Sequence, residues 1–392
     1  MIFSDPKTAR TINRLRVLNA IQQQGTISRA ELSRELLLNK VSISEIVHDL
    51  ILEGLISEAG KQSGARGRNP VLLQINRKAG FVIALDIGLK NTSTGIGNLS
   101  GELVRYQRSP TPCFLDTEDF IDYTAAMIRS QLERIGEPER ILGIALSIHA
   151  VVDSASGTLL QAADWGLEKI PMASRLLRLF KLPIVIDANV RAMLLAERWF
   201  SNIVTGSSLF YINWGQKIGA AQMAGNTILS LNSEFGHTPV ASQETCFCGK
   251  RGCLEAAAGG WSLQERGNAI VDRIDMSVKQ LYGASRENRH LEKLFREASG
   301  SMGQAAAIAA NIIQPDSIII GGGLSGIDAS YFQIINESFS IHAAPGIRTS
   351  LVIRKSELGE RTGLLGAVAL GLNTFLYRRT QLDSLDTTDT EW

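Results

Sequence analysis

Residues Glu234 to Glu255 read E-F-G-H-T-P-V-A-S-Q-E-T-C-F-C-G-K-R-G-C-L-E. Three of the four cysteines in the chain, Cys246, Cys248 and Cys253, fall in this stretch, and His237 lies just upstream. One imidazole and three thiolates are the donor set of a closed, tetrahedral structural zinc site. Gly249 and Gly252 permit the sharp turning that lets Cys248 and Cys253 converge on one ion. The alternative is a disulfide or scattered buried thiols. Three cysteines cannot pair completely, and Cys-x-Cys suits a metal loop better than a disulfide. The expected cofactor is therefore a structural Zn2+ held by His237, Cys246, Cys248 and Cys253. Glu234 and Glu255 bracket these ligands. A metal loop would draw them together beside the imidazole as acceptors for vicinal hydroxyls, although either glutamate taken alone reads more simply as a solvated surface charge.

The chain has 392 residues, 44 % of them hydrophobic, which is ample for two or three domains with sizeable cores. The formal net charge is only +1, but it is unevenly spread. Residues 1–80 hold twelve Lys/Arg and seven Asp/Glu, a net of +5, which leaves −4 for residues 81–392. That asymmetry suggests a small polyanion-binding module on a ligand-binding body. No run of about 18 apolar residues is present, so no transmembrane helix is expected. The first twenty residues carry Asp5, Lys7, Arg10, Arg14 and Arg16 and no signal-peptide core. A cytoplasmic protein with no membrane partner is the expectation, and a reducing cytosol favours metal ligation over disulfides. Cys113, outside the loop, reads as an inert thiol.

The first 76 residues carry their own pattern. Leu15, Leu18 and Ile21 predict a helix over about 8–24, stopped by Gly25. Ser28-Arg-Ala-Glu31 is a capping box for a short second helix with Leu32 and Leu36 on its apolar face. Ser42-Ile-Ser-Glu45 repeats the device and predicts a third helix over about 43–53, with Ile43, Ile46, Val47, Leu50 and Ile51 inward. Two short helices in tandem form a helix-turn-helix pattern. Its exposed face would present Ser42, Ser44, Glu45 and His48, with Lys40 in the preceding turn, to base edges or phosphates. Residues 55–58 and 71–75 predict two strands. The glycine-rich loop between them carries Arg66 and Arg68, suited to phosphate or minor-groove contact. The whole reads as a winged helix-turn-helix for double-stranded DNA; a three-helix protein-interaction module with a basic loop is the alternative.

The body predicts α/β structure. Phe81–Gly88 is a strand ending in Asp86-x-Gly88, followed by strands over 93–98 and 102–107, a helix at about 117–135, strands at 141–147 and 182–187, and a helix at about 188–200. Asp86 is either a plain turn residue or an acidic group suited to a phosphate–metal contact. The second half begins in the same way, with a strand at 208–213, a turn Gly215-Gln-Lys-Ile-Gly219 and a returning strand at 220–224. Helices fill about 255–313, a short strand at 317–320 runs into Gly321-Gly-Gly, and a strand at about 350–354 and a helix at about 361–378 follow. The repeat implies two related lobes, 77–200 and 201–360, with a cleft between them and the last helix packing back on the first lobe. Residues 381–392 are polar and acidic and read as a disordered tail.

With wing, Asp-x-Gly strand and cysteine loop in this order, the chain resembles the ROK family of repressors and sugar kinases, and most of all its repressor branch, the xylose-repressor, NagC and Mlc group. The resemblance runs from about residue 8 to 378. Its most specific element is Glu234-x-x-His237 followed by Cys246-x-Cys248-x4-Cys253-x-Glu255. It implies an actin-like, ribonuclease-H-like two-lobed ATPase fold, a sugar in the cleft, and a homodimer or tetramer. By motif, Asp187 in Ile186-Asp-Ala-Asn189 matches the family's catalytic base and sugar ligand. Glu234, His237 and Glu255 match its sugar-hydroxyl ligands.

Departures from the family pattern bear on activity. Kinase members carry Asp-x-Gly-Gly-Thr-Lys where this chain has Asp86-Ile-Gly-Leu-Lys-Asn91, and Gly-Thr-Gly-Ile-Gly where it has Gly215-Gln-Lys-Ile-Gly219. Both phosphate loops are altered, and a base without a positioned γ-phosphate does little. The expectation is a non-enzymatic protein with Asp187 as a relic of the base. Ile186 replaces the usual asparagine, and His149-Ala150 the usual Pro-Gly, so the effector is expected to be an unusual carbohydrate or a sugar phosphate. His149 is a candidate contact to it or, equally, a satisfied core histidine. The reading is a carbohydrate-responsive repressor of an operator. A sugar kinase with an appended DNA-binding module, or a regulator controlled by a protein partner, are the alternatives.

Overall fold

The computed structural model describes residues 6–61, 70–136, 140–201, 208–225, 227–229 and 234–378. Arg66, Arg68 and the stretch 381–392 lie outside the described residues.

The N-terminal module contains α1 (Pro6–Gln24), β1 (Ile27–Ser28), α2 (Arg29–Leu36), α3 (Lys40–Leu52), β2 (Ile56–Lys61) and β3 (Val71–Ile75). The three strands form an antiparallel sheet in the order β1-β3-β2. Gly25, at φ 71°, takes the left-handed backbone that ends α1. The capping box of α2 forms: Glu31 N–H donates to Ser28 Oγ at 3.3 Å, and Ser28 N–H to Glu31 Oε2 at 2.9 Å. The second expected box does not. α3 starts three residues earlier than its apolar spacing suggested, because Asn39 Oδ1 accepts the Ser42 N–H at 2.8 Å. Asparagine is as good an N-cap as serine, and capping at 39 adds nearly a turn without moving Ile43 off the buried face. Val17, Leu18, Ile21, Leu32, Ile43, Ile46, Val47 and Leu50 are all buried, whereas Ile51 is only half-buried. Arg10 donates to Asp49 at 2.7 Å and Arg14 forks onto both carboxylate oxygens of Glu53, clipping α1 to α3.

The chain forms two compact units. The first comprises Met1–Ile87, Asn91–Asp187 and Ala367–Trp392, and the second Gly88–Lys90 and Ala188–Gly366. In the first unit lie β4 (Phe81–Ile87), β5 (Asn91–Asn98), β6 (Leu103–Pro110), α4 (Thr117–Leu132), β7 (Ile141–Ile148), β8 (Val151–Asp153), β9 (Thr158–Ala162), β10 (Leu167–Ile170), α5 (Met172–Phe180) and β11 (Ile184–Ala188), whose last residue is already counted in the second. The main sheet has the order β11-β7-β4-β5-β6, and β8, β9 and β10 make a small sheet of their own. Neither that small sheet nor α5 was legible in the sequence.

The second unit holds α6 (Asn189–Phe200), β12 (Ser208–Trp214), β13 (Ile218–Ala224), β14 (Thr227–Ile228), α7 (Leu254–Ala258), α8 (Gly260–Ile270), α9 (Val278–Ala284), α10 (Arg289–Ile313), β15 (Ser317–Gly321), α11 (Ala329–His342), α12 (Pro345–Ser350) and β16 (Val352–Lys355). Its sheet runs β14-β13-β12-β15-β16, the same sequence-relative order as the first: third, second, first, fourth, fifth strand. In both, the first strand pairs antiparallel with the second and parallel with the fourth. The core of the second unit includes Ile212, Trp214, Leu254, Leu281, Leu294, Met302, Ile318 and Ile335.

Two boundaries differ from expectation. α6, assigned from sequence to the first lobe, belongs to the second unit, because its buried face of Ala192, Leu195 and Ala196 packs on β12 and β13. The helix expected at 361–378 is α13 (Thr362–Leu372) continued by a π-helical stretch over Asn373–Arg378, and it is shared. Gly366 belongs to the second unit and lies so near α6 that a Cβ there would come within 2.6 Å of the Ala192 backbone. Among the described residues, no helix is long and apolar enough to cross a membrane.

Candidate functional site

The cysteine loop hangs between the short helical turn Phe235–His237 and α7. Its ends are drawn together by backbone bonds, Val240 N–H to Gly252 O at 2.8 Å and Leu254 N–H to Thr238 O at 2.9 Å. Its tip is closed by Cys246 N–H to Lys250 O at 2.8 Å. Gly249 and Gly252 take φ values of 85° and 80°, the left-handed turns that the glycines in the motif permit. As a result one donor atom each from His237, Cys246, Cys248 and Cys253 lie within 4.8 Å of one another. Cys246 Sγ is 3.7 Å from His237 Nδ1, and Cys248 Sγ is 3.7 Å from Cys253 Sγ. A tetrahedron with metal–sulfur bonds of about 2.3 Å has donor–donor edges of about 3.8 Å, so the group has the dimensions of a metal cage. All four cysteines are free. Burial pushes the Cys253 thiol up to about 12 and raises Cys246, whereas the Lys250 backbone N–H lowers Cys248. An ion bound here would have to displace protons from at least the two buried thiols.

The two bracketing glutamates have opposite environments. Glu234 is exposed, with Oε2 at 3.8 Å from His237 Nε2, the ring nitrogen not directed at the thiols. Glu255 is 2 % exposed, which excludes the surface-charge reading for it. Its Oε2 accepts the Ile218 N–H at 2.7 Å and its Oε1 the Trp261 indole N–H at 2.8 Å. It thereby ties α7 to the Gly215–Gly219 turn. That turn is held further by Gly260 N–H to Gly215 O at 3.0 Å. Lys217 extends its ammonium over the Phe247 ring, 3.5 Å from the centroid. Phe247 meets His237 and Trp261 edge-on at 5.4 and 5.7 Å. Sequence reasoning missed Lys217, Phe247 and Trp261. The only available signal was an aromatic between two metal-ligand cysteines.

In the first unit, Asp187 ends β11 almost buried and accepts from Ser154 Oγ at 3.0 Å. His149 is bonded through Nε2 to Asp164 at 2.9 Å and lies edge-on to Trp165 at 6.2 Å. Asp86 sits within β4, not in a turn, and accepts from Ser147 Oγ at 2.8 Å. Burial is the main cause that raises its carboxyl to about 6. In the altered loop after it, Lys90 Nζ donates to Gln264 Oε1 of α8 at 2.6 Å. On α3, Lys40, Ser44, Glu45 and His48 are exposed and Ser42 half-buried, but Ser44 Oγ is turned back onto Lys40 O at 2.8 Å. Cys113 is exposed.

Two sheets of one strand order, each carrying helices, with a cysteine–histidine loop on the second, define an actin-like, two-lobed α/β protein. The ROK family profile matches residues 82–374, and the chain belongs to that family. Relatives of nearly full length are named as a repressor or a transcriptional regulator. The xylose repressor of Caldicellulosiruptor bescii is 28 % identical, over 94 % of this chain and 97 % of its own. The DNA-binding transcriptional dual regulator NagC of Escherichia coli is 26 % identical, over 92 % of each. A crystal structure of a ROK family transcriptional regulator, homologous to Escherichia coli Mlc, matches with a TM-score of 0.80 at 23 % identity, covering 97 % of this chain and all of the other. A ROK glucokinase from Streptomyces griseus, crystallised with glucose and AMPPNP, matches with a TM-score of 0.64 at 23 % identity but covers only 74 % of this chain.

Proposed function

We propose that this chain is a carbohydrate-responsive transcriptional repressor that binds operator DNA through its N-terminal module and does not phosphorylate its ligand. The observation that carries the reading is the union of two parts in one chain. A module of three helices and a three-stranded antiparallel sheet, in which α3 follows the short α2 after a brief turn, precedes the ROK body, and that order supports a winged helix-turn-helix reading. The repressor and regulator relatives match over 94 % and 92 % of this chain, whereas the glucokinase covers 74 % of it.

α3 serves as the recognition helix, with Lys40, Ser42, Ser44, Glu45 and His48 toward the groove and the Arg66 and Arg68 wing on phosphates. Two copies of the chain would bind a pseudo-palindromic site. The metal is zinc, held by His237 Nδ1 and the three thiolates, and its task is to order the loop. With Nδ1 on the metal, His237 Nε2 is fixed toward Glu234 and available to a sugar hydroxyl. Glu255, held on the Ile218 amide and the Trp261 indole, is the second carboxylate of this carbohydrate-binding group. Asp187, by motif, and His149 are candidate carbohydrate contacts within the first unit. The changed phosphate turns, Asp86–Asn91 and Gly215–Gly219, support a non-enzymatic role. The Ile218 amide of the second is already bonded to Glu255. An effector relieves repression only through a difference in its affinity for the two DNA-affinity states.

Thermal-shift screening of the purified chain against sugars, sugar phosphates and ATP–Mg2+ tests this, since a ligand of the folded state raises Tm. A carbohydrate shift with none for nucleotide is expected. A nucleotide shift accompanied by sugar phosphorylation would restore the kinase reading.

A further inference from the structure

The turn between α2 and α3 carries two features that the sequence pattern did not single out. Leu37 is 90 % exposed and Val41 is 69 % exposed, the former ending α2 and the latter in the first turn of α3. They flank the exposed Lys40. The module has ample buried positions for apolar side chains, since Leu32, Ile43, Val47 and Leu50 are all fully covered. Leu37 and Val41 contribute nothing to that core.

Leu37 has a second feature, a left-handed helix cap of the kind that Lys181 and Gln314 also make after α5 and α10. Its φ of 55° and ψ of 39° lie in the left-handed region, where its N–H caps α2 by donating to Ser33 O. Glycine or asparagine fills such a position at lower cost, because a β-carbon there meets the following carbonyl oxygen. At Leu37 the left-handed cap also leaves an apolar side chain in water, uncovered by the module itself.

The polar groups beside them are partly committed. Ser44 Oγ is bonded to Lys40 O. The first turn of the recognition helix is the part that reaches base edges in the major groove, where the one apolar mark is the C5-methyl of thymine. We infer that Leu37 and Val41 read thymine methyl groups in the operator, so that specificity at the positions they meet comes from apolar contact rather than from hydrogen bonding. This inference rests on the DNA-binding reading above.

Replacing thymine by uracil removes only the methyl and keeps every hydrogen-bonding group, which makes the test selective. The full-length protein is used to select binding sites from randomised duplexes. The selected site is then scanned thymine by thymine with uracil at fixed salt, because affinities depend steeply on ionic strength. The expected result is one or two positions per half-site at which uracil weakens binding about fourfold, the loss that goes with one unburied methyl. Val41→Ala or Leu37→Ala should abolish the thymine–uracil difference at one of those positions only, and Val41→Ile should retain it. Both side chains are exposed, so these variants keep the fold, which circular dichroism checks. Equal affinity for thymine and uracil at every position, or an undiminished difference in both alanine variants, would overturn the inference while leaving operator binding intact. Failure to select any sequence would overturn the DNA-binding reading and this inference with it.

Discussion

The N-terminal helices and the cysteine loop are both short, yet they are held by opposite means. Among the described residues the helices bury aliphatic side chains from Val17 to Leu50, and their charged clips, Arg10 to Asp49 and Arg14 to Glu53, lie toward the outside. The loop from Thr238 to Gly252 buries only Val240, Cys246 and Gly252. Its small buried cluster is Cys246, Cys253 and Ala256, with Trp261 against it. Apolar burial is proportional to area, and the loop has little. What organises it is a set of backbone bonds and four donor atoms spaced for one ion. The first region should therefore answer to side-chain volume and the second to metal.

The largest effect expected follows from removing a ligand or the ion. Cys246→Ser, Cys248→Ser, or chelation should abolish the proposed metal binding and raise hydrogen exchange across 238–253, while the N-terminal helices keep their protection. Structural zinc contributes about 10–16 kcal/mol of apparent binding energy in small metal-folded peptides, so nothing else in this loop can compensate for its loss. Metal analysis and exchange mass spectrometry read this directly; one equivalent of metal in Cys248→Ser would refute the ligand set. Because the buried thiols of Cys246 and Cys253 hold their protons tightly, occupancy should fall as pH falls.

Next comes Leu50→Ala, which should destabilise the N-terminal module by about 2–5 kcal/mol and leave metal content unchanged. Urea unfolding followed by far-UV dichroism is the measurement, and equal damage to metal binding would erase the contrast between the two regions.

Smaller, and sharper as a test of where α3 begins, are the caps. Ser28→Ala and Asn39→Ala should each cost about 1 kcal/mol, because each removes a bonded N-cap. Ser42→Ala should stay within about 0.5 kcal/mol, since its side chain caps nothing. The reverse ranking would restore the serine as the cap.

The remaining expected effect is one of pH. Burial raises the Asp86 carboxyl from 3.8 to about 6, so between about pH 4 and 6 the folded state holds a proton that the unfolded chain has lost. Stability should therefore decline as pH rises through that window, and Asp86→Asn should flatten the decline in thermal scans.

The sequence was most legible where local chemistry decides. The Ser28–Glu31 box, the Gly25 stop and the cysteine spacing each specify their geometry within a few residues, and each formed. It was least legible where two local solutions compete. Asn39 and Ser42 are both good caps, and either start leaves Ile43, Ile46, Val47 and Leu50 on one buried face, so the apolar pattern does not choose between them. The strands β8, β9 and β10 are three to five residues long, too short for periodicity to register. α6 reads as a plain amphipathic helix, and nothing local says which sheet its apolar face covers.

By itself, the amino-acid sequence determined the donor set of the metal loop, the doubled strand pattern and the helical module at the N-terminus, because all three follow from residue type and short-range spacing. Only the tertiary structure decided that Glu255 is buried on the Ile218 amide and the Trp261 indole while Glu234 stays in water. It also decided that α6 belongs to the second unit, and that Leu37 and Val41 stand outside the core. Each of these is a matter of which surface a side chain meets across a long stretch of chain, and burial of that kind is set by packing partners that local sequence does not name.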